Sequence, residues 1–177
     1  MTARSFVPIF VALLGAVLLA GCSGMKGQPL GGHYELEGNF RRLAEEDRFG
    51  VRVSADLESG TMSDEQVEAL STFISNLLRE SRPGGVVLDL TSYESQSKSV
   101  DLVLDIVVTK FAPADAQARS QGIRSHLAGR LTMLDTANEP RGAALIRADG
   151  FRLDVLKETK APDTVVYFTN VIVDLIN

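Results

Sequence analysis

Two stretches in the second half of the chain alternate apolar and polar residues with a period of two, a spacing that belongs to strands and not to helices. In DLVLDIVVTKF, residues 101–111, Leu102, Leu104, Ile106 and Val108 share one side, and Val103, Asp105, Val107 and Thr109 share the other. In IRSHLAGRLTML, residues 123–134, Ile123, Leu127, Leu131 and Met133 face one way, while Arg124, His126, Arg130 and Thr132 face the other. A strand with one dry and one wet face is the habit of antiparallel sheets. Its dry side needs an apolar cover.

Residues 63–79 supply the clearest cover. Ser63 is a good N-cap, and Gln66 three residues on completes a capping box. Asp64 and Glu65 put negative charge at the positive end of the helix. Val67, Leu70, Ile74, Leu77 and Leu78 form one stripe at helical spacing, with Phe73 beside it, before Arg82-Pro83-Gly84-Gly85 stops the helix. A second helix is expected from Pro162 and Asp163 onward, where Val165, Phe168, Val171, Ile172, Leu175 and Ile176 recur at three and four. Its β-branched content keeps a strand open as the alternative.

Shorter strands are expected at 50–55, 85–90 and 142–148, with a turn at 135–141 in which Asp135 bonds the turn backbone. Asp149-Gly150 signals a hairpin into 151–156. Residues 33–49 carry two patterns: Tyr34, Leu36 and Gly38 alternate like a strand, whereas Phe40 and Leu43 share a helical face. Helix, strands and helix in that order predict an α+β fold, a two-layer domain whose mostly antiparallel sheet has its helices packed on one face. Residues 33–177 are read as that single domain.

With 18 Lys+Arg against 23 Asp+Glu, the net charge of −5 argues against a nucleic-acid partner. An apolar fraction of 45% excludes a disordered chain. One Cys permits no intramolecular disulfide.

That Cys sits at the end of an address. Arg4 precedes the apolar run FVPIFVALLGAVLL, residues 6–19, which has the length of a signal-peptide core and falls short of a membrane span. Leu19-Ala20-Gly21-Cys22 follows and resembles the bacterial lipobox. The resemblance implies a diacylglyceryl group on the Cys22 thiol, removal of residues 1–21 as a signal peptide, and acylation of the new amine. Several acyl chains anchor a protein stably to a membrane without crossing it. Ser23, where Asp would favour inner-membrane retention in such lipoproteins, implies the outer membrane, facing the periplasm. Residues 22–32 then read as the lipidated Cys and a Gly-rich flexible tether.

Catalytic patterns are sparse. There is no Gly-x-Ser-x-Gly elbow, and Gly31-Gly32 and Gly84-Gly85 match neither a P-loop nor a dinucleotide fingerprint. Of the two His residues, His33 borders the tether and His126 lies on a strand. A Ser–His–Asp arrangement around His126 is the route to an envelope hydrolase. A half-exposed sheet histidine is the plainer reading. Asp89, Asp101 and Asp105 could supply a carboxylate pair for glycan cleavage, although acids at strand ends are commonplace. Glu45-Glu46-Asp47 reads as a solvated charge run. No catalytic, cofactor-binding or metal-ligating residue is assigned. What remains is a surface: Arg124, His126 and Arg130, with Asp105 and Thr109 opposite, as a docking face for a periplasmic protein partner. The plainer alternative is a solvated face with cross-strand charge pairs.

The pattern of residues 50–177, with "DLVLDIVVTKF" and "LAGRLTMLDTANEPRGAAL" between helices, resembles small envelope lipoproteins, both families of unknown function and the curli-secretion-channel and penicillin-binding-protein-activator types. That resemblance implies a sheet with helices on one face, used to assemble or activate other envelope proteins. The Asn-x-x-Leu-Ser-x-x-Arg stretch of peptidoglycan-associated lipoproteins is missing, so murein binding is not carried over. The sequence therefore points to a non-enzymatic accessory or assembly subunit. The alternative is a lipid- or glycolipid-handling auxiliary of an envelope transporter, which needs an apolar groove between helices and sheet.

Overall fold

A computed structural model describes residues 30–38, 40, 48–58, 60–91, 99–156 and 162–177. The signal-peptide reading, Cys22 and the Glu45-Glu46-Asp47 run lie outside the described residues. The elements in chain order are β1 (Gly31–Glu37), β2 (Arg48–Ala55), α1 (Asp64–Ser81), β3 (Val86–Asp89), β4 (Leu102–Ala112), α2 (Ala116–Ser120), β5 (Ser125–Asp135), β6 (Pro140–Gly150) and α3 (Asp163–Ile176).

The strands make one six-stranded sheet in the order β1-β6-β5-β4-β2-β3. The β1–β6, β6–β5 and β5–β4 pairs are antiparallel, while β2 runs parallel to both β4 and β3. The α+β reading holds, with a parallel corner at β2. The crossover through α1 creates that corner, because parallel neighbours need a long connection and a helix supplies it.

The core fills the space between one sheet face and helices α1 and α3. Phe49, Val51, Leu104, Ile106, Leu127, Leu131, Met133 and Ile146 from the strands meet Leu70, Ile74, Leu78, Val165, Phe168 and Ile172 from the helices. Helix α1 begins as expected: the Gln66 amide donates to Ser63 Oγ at 3.2 Å, and the Ser63 amide donates to Gln66 Oε1 at 2.9 Å. Residues 163–176 are helical despite their β-branched content, since their three-and-four spacing buries Val165, Phe168, Val171, Ile172, Leu175 and Ile176 on the sheet.

Several expectations are corrected. Residues 33–37 belong to β1, so the alternating pattern wins there. The strand starts at Gly31, inside the stretch read as tether. Gly32 fits because a Cβ there would stand 2.3 Å from Val171 and 2.5 Å from the Tyr167 carbonyl of α3. Asp149-Gly150 makes no hairpin. The chain leaves the sheet because the Asp163 carboxylate takes the Phe151 amide at 3.0 Å and the Arg152 amide at 2.6 Å. Residues 123 and 124 precede β5, because α2 and the turn at Gly122 (φ +78°) occupy the approach, and Ile123 is 51% exposed.

Asp135 behaves as read. Its Oδ1 accepts the Ala137 amide at 2.8 Å and the Glu139 amide at 2.9 Å, closing the β5–β6 turn.

Candidate functional site

The sheet's second face carries no helix among the described residues, and the strand register sorts its side chains into rungs. One rung runs Glu37, Ala143, Thr132, Asp105 and Arg52 from β1 to β2. The next holds Glu35, Leu145, Arg130 and Val107. The third holds His33, Arg147, Ala128 and Lys110, and the last holds Asp149, His126 and Ala112.

Two arginines of these rungs are paired with acids. Arg52 Nε donates to Asp105 Oδ1 at 2.7 Å. Arg130 Nη2 reaches Glu37 Oε2 at 2.9 Å, passing over β6. His126 Nδ1 pairs with Asp149 directly across β5 and β6. His126 and Arg130 thus each stand against an acid of another strand. Asp105 turns to Arg52 and away from them. Arg124, outside the strand, keeps its Nη1 buried without a hydrogen-bond partner among the described residues.

The third rung differs. Lys110 and Arg147 are exposed, and neither has an ion-pair partner among the described residues. Ala128 between them is a low floor. With His33, Glu58, Thr109, His126 and Asp149 they line a shallow groove of about 650 Å³. Lys110 reaches the groove through a bulge after Val108, which makes Thr109 the extra residue and hands the polar face to Lys110. Sequence reading passed over both cations. Arg147 was legible in the alternation of Leu145, Arg147 and Asp149, whereas a single-residue bulge leaves no period to read.

For hydrolysis the geometry offers a His126–Asp149 pair, but no hydroxyl bonds the other ring nitrogen among the described residues. Ser125 points to the opposite side, where its Oγ bonds the Ala114 amide at 3.0 Å and the Phe151 carbonyl at 3.2 Å. The three acids proposed for glycan cleavage are dispersed. Asp89 lies on the helix side and accepts from Ser71 Oγ at 2.8 Å, Asp105 is on the open face, and Asp101 accepts the Arg48 amide at the far end. Among the described residues, no group of three His, Cys, Asp or Glu is placed to hold a metal, and no helix is long and apolar enough to cross a membrane. The space between helices and sheet, where lipid handling needs a groove, is filled by Phe49, Phe168 and their neighbours.

No family model matches the chain, and no curated protein matches it. Solved structures do. The PelC dodecamer from Paraburkholderia phytofirmans aligns over 82% of this chain and 98% of its own, at 15% identity and a TM-score of 0.56. A single-substitution variant of that dodecamer aligns at 15% identity and 0.57 over the same shares. The fold is similar to that of PelC. A Xanthomonas campestris protein assigned to the DUF330 family model aligns at 9% identity and a TM-score of 0.42, over 79% of this chain and 84% of its own. Fold alone does not carry function.

Proposed function

We propose that the chain is a non-enzymatic accessory subunit of the bacterial envelope. Acyl groups on Cys22 hold it to the outer membrane, facing the periplasm. It works as an assembly of its own copies, as PelC forms a dodecamer, and docks an acidic protein partner on the open sheet face. One observation carries the docking surface. Lys110 and Arg147 stand on one rung with only Ala128 between them, and neither is in an ion pair among the described residues. Exposed charges left without partners serve encounter and specificity more than fold stability.

The test is a gentle membrane pull-down of the tagged chain, identified by mass spectrometry, beside Cys22→Ala and the double variant Lys110→Glu, Arg147→Glu. The expected result is one envelope protein, recovered only with the anchored form, salt-sensitive, and lost in the double variant while its circular dichroism is unchanged. Recovery unaffected by the double variant removes the surface. Turnover of a cell-wall or ester substrate by the purified chain removes the non-enzymatic reading.

A further inference from the structure

The outer edge of β1 is the longer of the sheet's two edges: seven residues against the four of β3. Among the described residues nothing pairs with it. Edge strands are normally protected by Pro, Lys, a bulge or a covering segment. The β1 sequence GGHYELE contains neither Pro nor Lys, and its register against β6 is unbroken from Gly31 to Glu37. Two large side chains stand at this edge, Tyr34 at 51% and Leu36 at 49% exposure. Their register partners, Ile146 and Ala144, are core residues, so both point to the helix side. Helix α3 reaches the edge at Gly32.

The order of side chains along the edge says what would cover it. About Tyr34 the strand is complementary to itself run backwards. Laid antiparallel to a second copy with Tyr34 on the twofold axis, it sets Tyr34 against Tyr34, His33 against Glu35 twice, and Leu36 against Gly32 twice. Opposed residues share a face, so both His–Glu pairs form on the open side. The Tyr34 pair and the two Leu36–Gly32 contacts form on the helix side, and aromatic and opposite-charge pairs across strands are stabilising. Sliding the register by two in one direction opposes Glu35 to Glu35, and in the other His33 to His33. Sliding it by one pairs helix-side with open-side residues.

We infer that two copies of this chain join through β1, antiparallel and centred on Tyr34, so that one continuous sheet runs through both. The contact is isologous, and an assembly larger than two copies needs at least one further surface. The inference rests on the proposal that the chain works as an assembly. Native mass reports the assembly, and the position of a cross-link reports the surface.

The test uses the full chain, processed and lipidated by its own cells and purified in detergent. Tyr34→Cys and Leu36→Cys are oxidised mildly beside the wild type, whose lack of cross-linking shows that Cys22 is blocked. The expected result is a disulfide dimer for Tyr34→Cys and none for Leu36→Cys, which faces glycine. Light scattering then reads His33→Glu, which opposes acid to acid twice, and the double variant His33→Glu, Glu35→His, which restores opposite charge. Loss of the twofold mass step in the single variant and its return in the double one support the register. An oligomer whose Tyr34→Cys form does not cross-link, or whose Leu36→Cys form does, overturns the surface and leaves the assembly standing. A monomeric wild type overturns both.

Discussion

The ring of Phe168 in α3 lies over Gly129 of β5: a Cβ built at Gly129 would stand 3.4 Å from the ring's Cζ and 2.8 Å from the Val107 carbonyl oxygen. This glycine is a gap that an aromatic ring and a neighbouring strand together close. Gly129→Ala should overpack the site and cost about 1–3 kcal/mol. Phe168→Ala should leave a cavity and cost about 3–5 kcal/mol. The two sites touch, so their costs should fail to add in the double variant. Urea unfolding followed by circular dichroism measures all three.

The turn between β5 and β6 should register in acid. The Glu139 amide first, then the Arg141 guanidinium, with the Ala137 amide adding to them, hold the Asp135 carboxyl below its ordinary value of 3.8. A depressed folded-state pKa contributes stability that is present above the ordinary value and lost as pH falls through the folded one. Wild type should therefore be more stable than Asp135→Asn at neutral pH, with the gap closing below about pH 4. A gap independent of pH in parallel urea titrations would show that the charge is not what holds the turn.

Asp163 joins the end of β6 to the start of α3 by accepting the amides of Phe151 and Arg152. Asp163→Ala should leave both donors without that acceptor. Hydrogen bonds to charged groups contribute about 1.5–3 kcal/mol each, and the loss of two should appear as a lower midpoint in thermal unfolding. Hydrogen exchange should quicken first at residues 151–156 and in the first turn of α3. Uniformly faster exchange would instead mean that the carboxylate serves global stability alone.

On the open face, unpaired and paired cations should separate. Lys110→Gln and Arg147→Gln should leave stability within about 0.5 kcal/mol of wild type, since exposed unpartnered charges hold little of a fold. Arg52→Gln removes the ion pair with Asp105 and should cost up to about 1 kcal/mol, less at high salt. If Arg147→Gln proves the more destabilising, Arg147 is structural and the docking reading loses its foundation.

Much of the fold could be read without coordinates. The capping box at Ser63 and Gln66, the stripe of Leu70, Ile74 and Leu78, and the alternation from Leu102 to Val108 are local patterns. Local patterns survive because helix and strand periods differ. The Phe151 segment misled because a turn dipeptide says only that the chain bends. The carboxylate that captured it comes from Asp163, a dozen residues on. The surface named from Arg124, His126 and Arg130 shares neither one strand nor one chemistry, since Arg124 precedes β5. Two of the three are engaged by Asp149 and Glu37, which lie on other strands.

By itself the sequence determined the helix after Ser63 and the alternating strands β4 and β5, that one sheet face is apolar, and, through Leu19-Ala20-Gly21-Cys22, the expected mode of attachment. Periodicity and short motifs carry these, and both act over a few neighbouring residues. Only the tertiary structure decided that β2 runs parallel between β3 and β4, that a bulge sets Lys110 on the rung of Arg147, and that Tyr34 and Leu36 stand at an edge unpaired among the described residues. Each of these follows from register between strands distant in the chain, where backbone hydrogen bonds choose partners that no local period encodes.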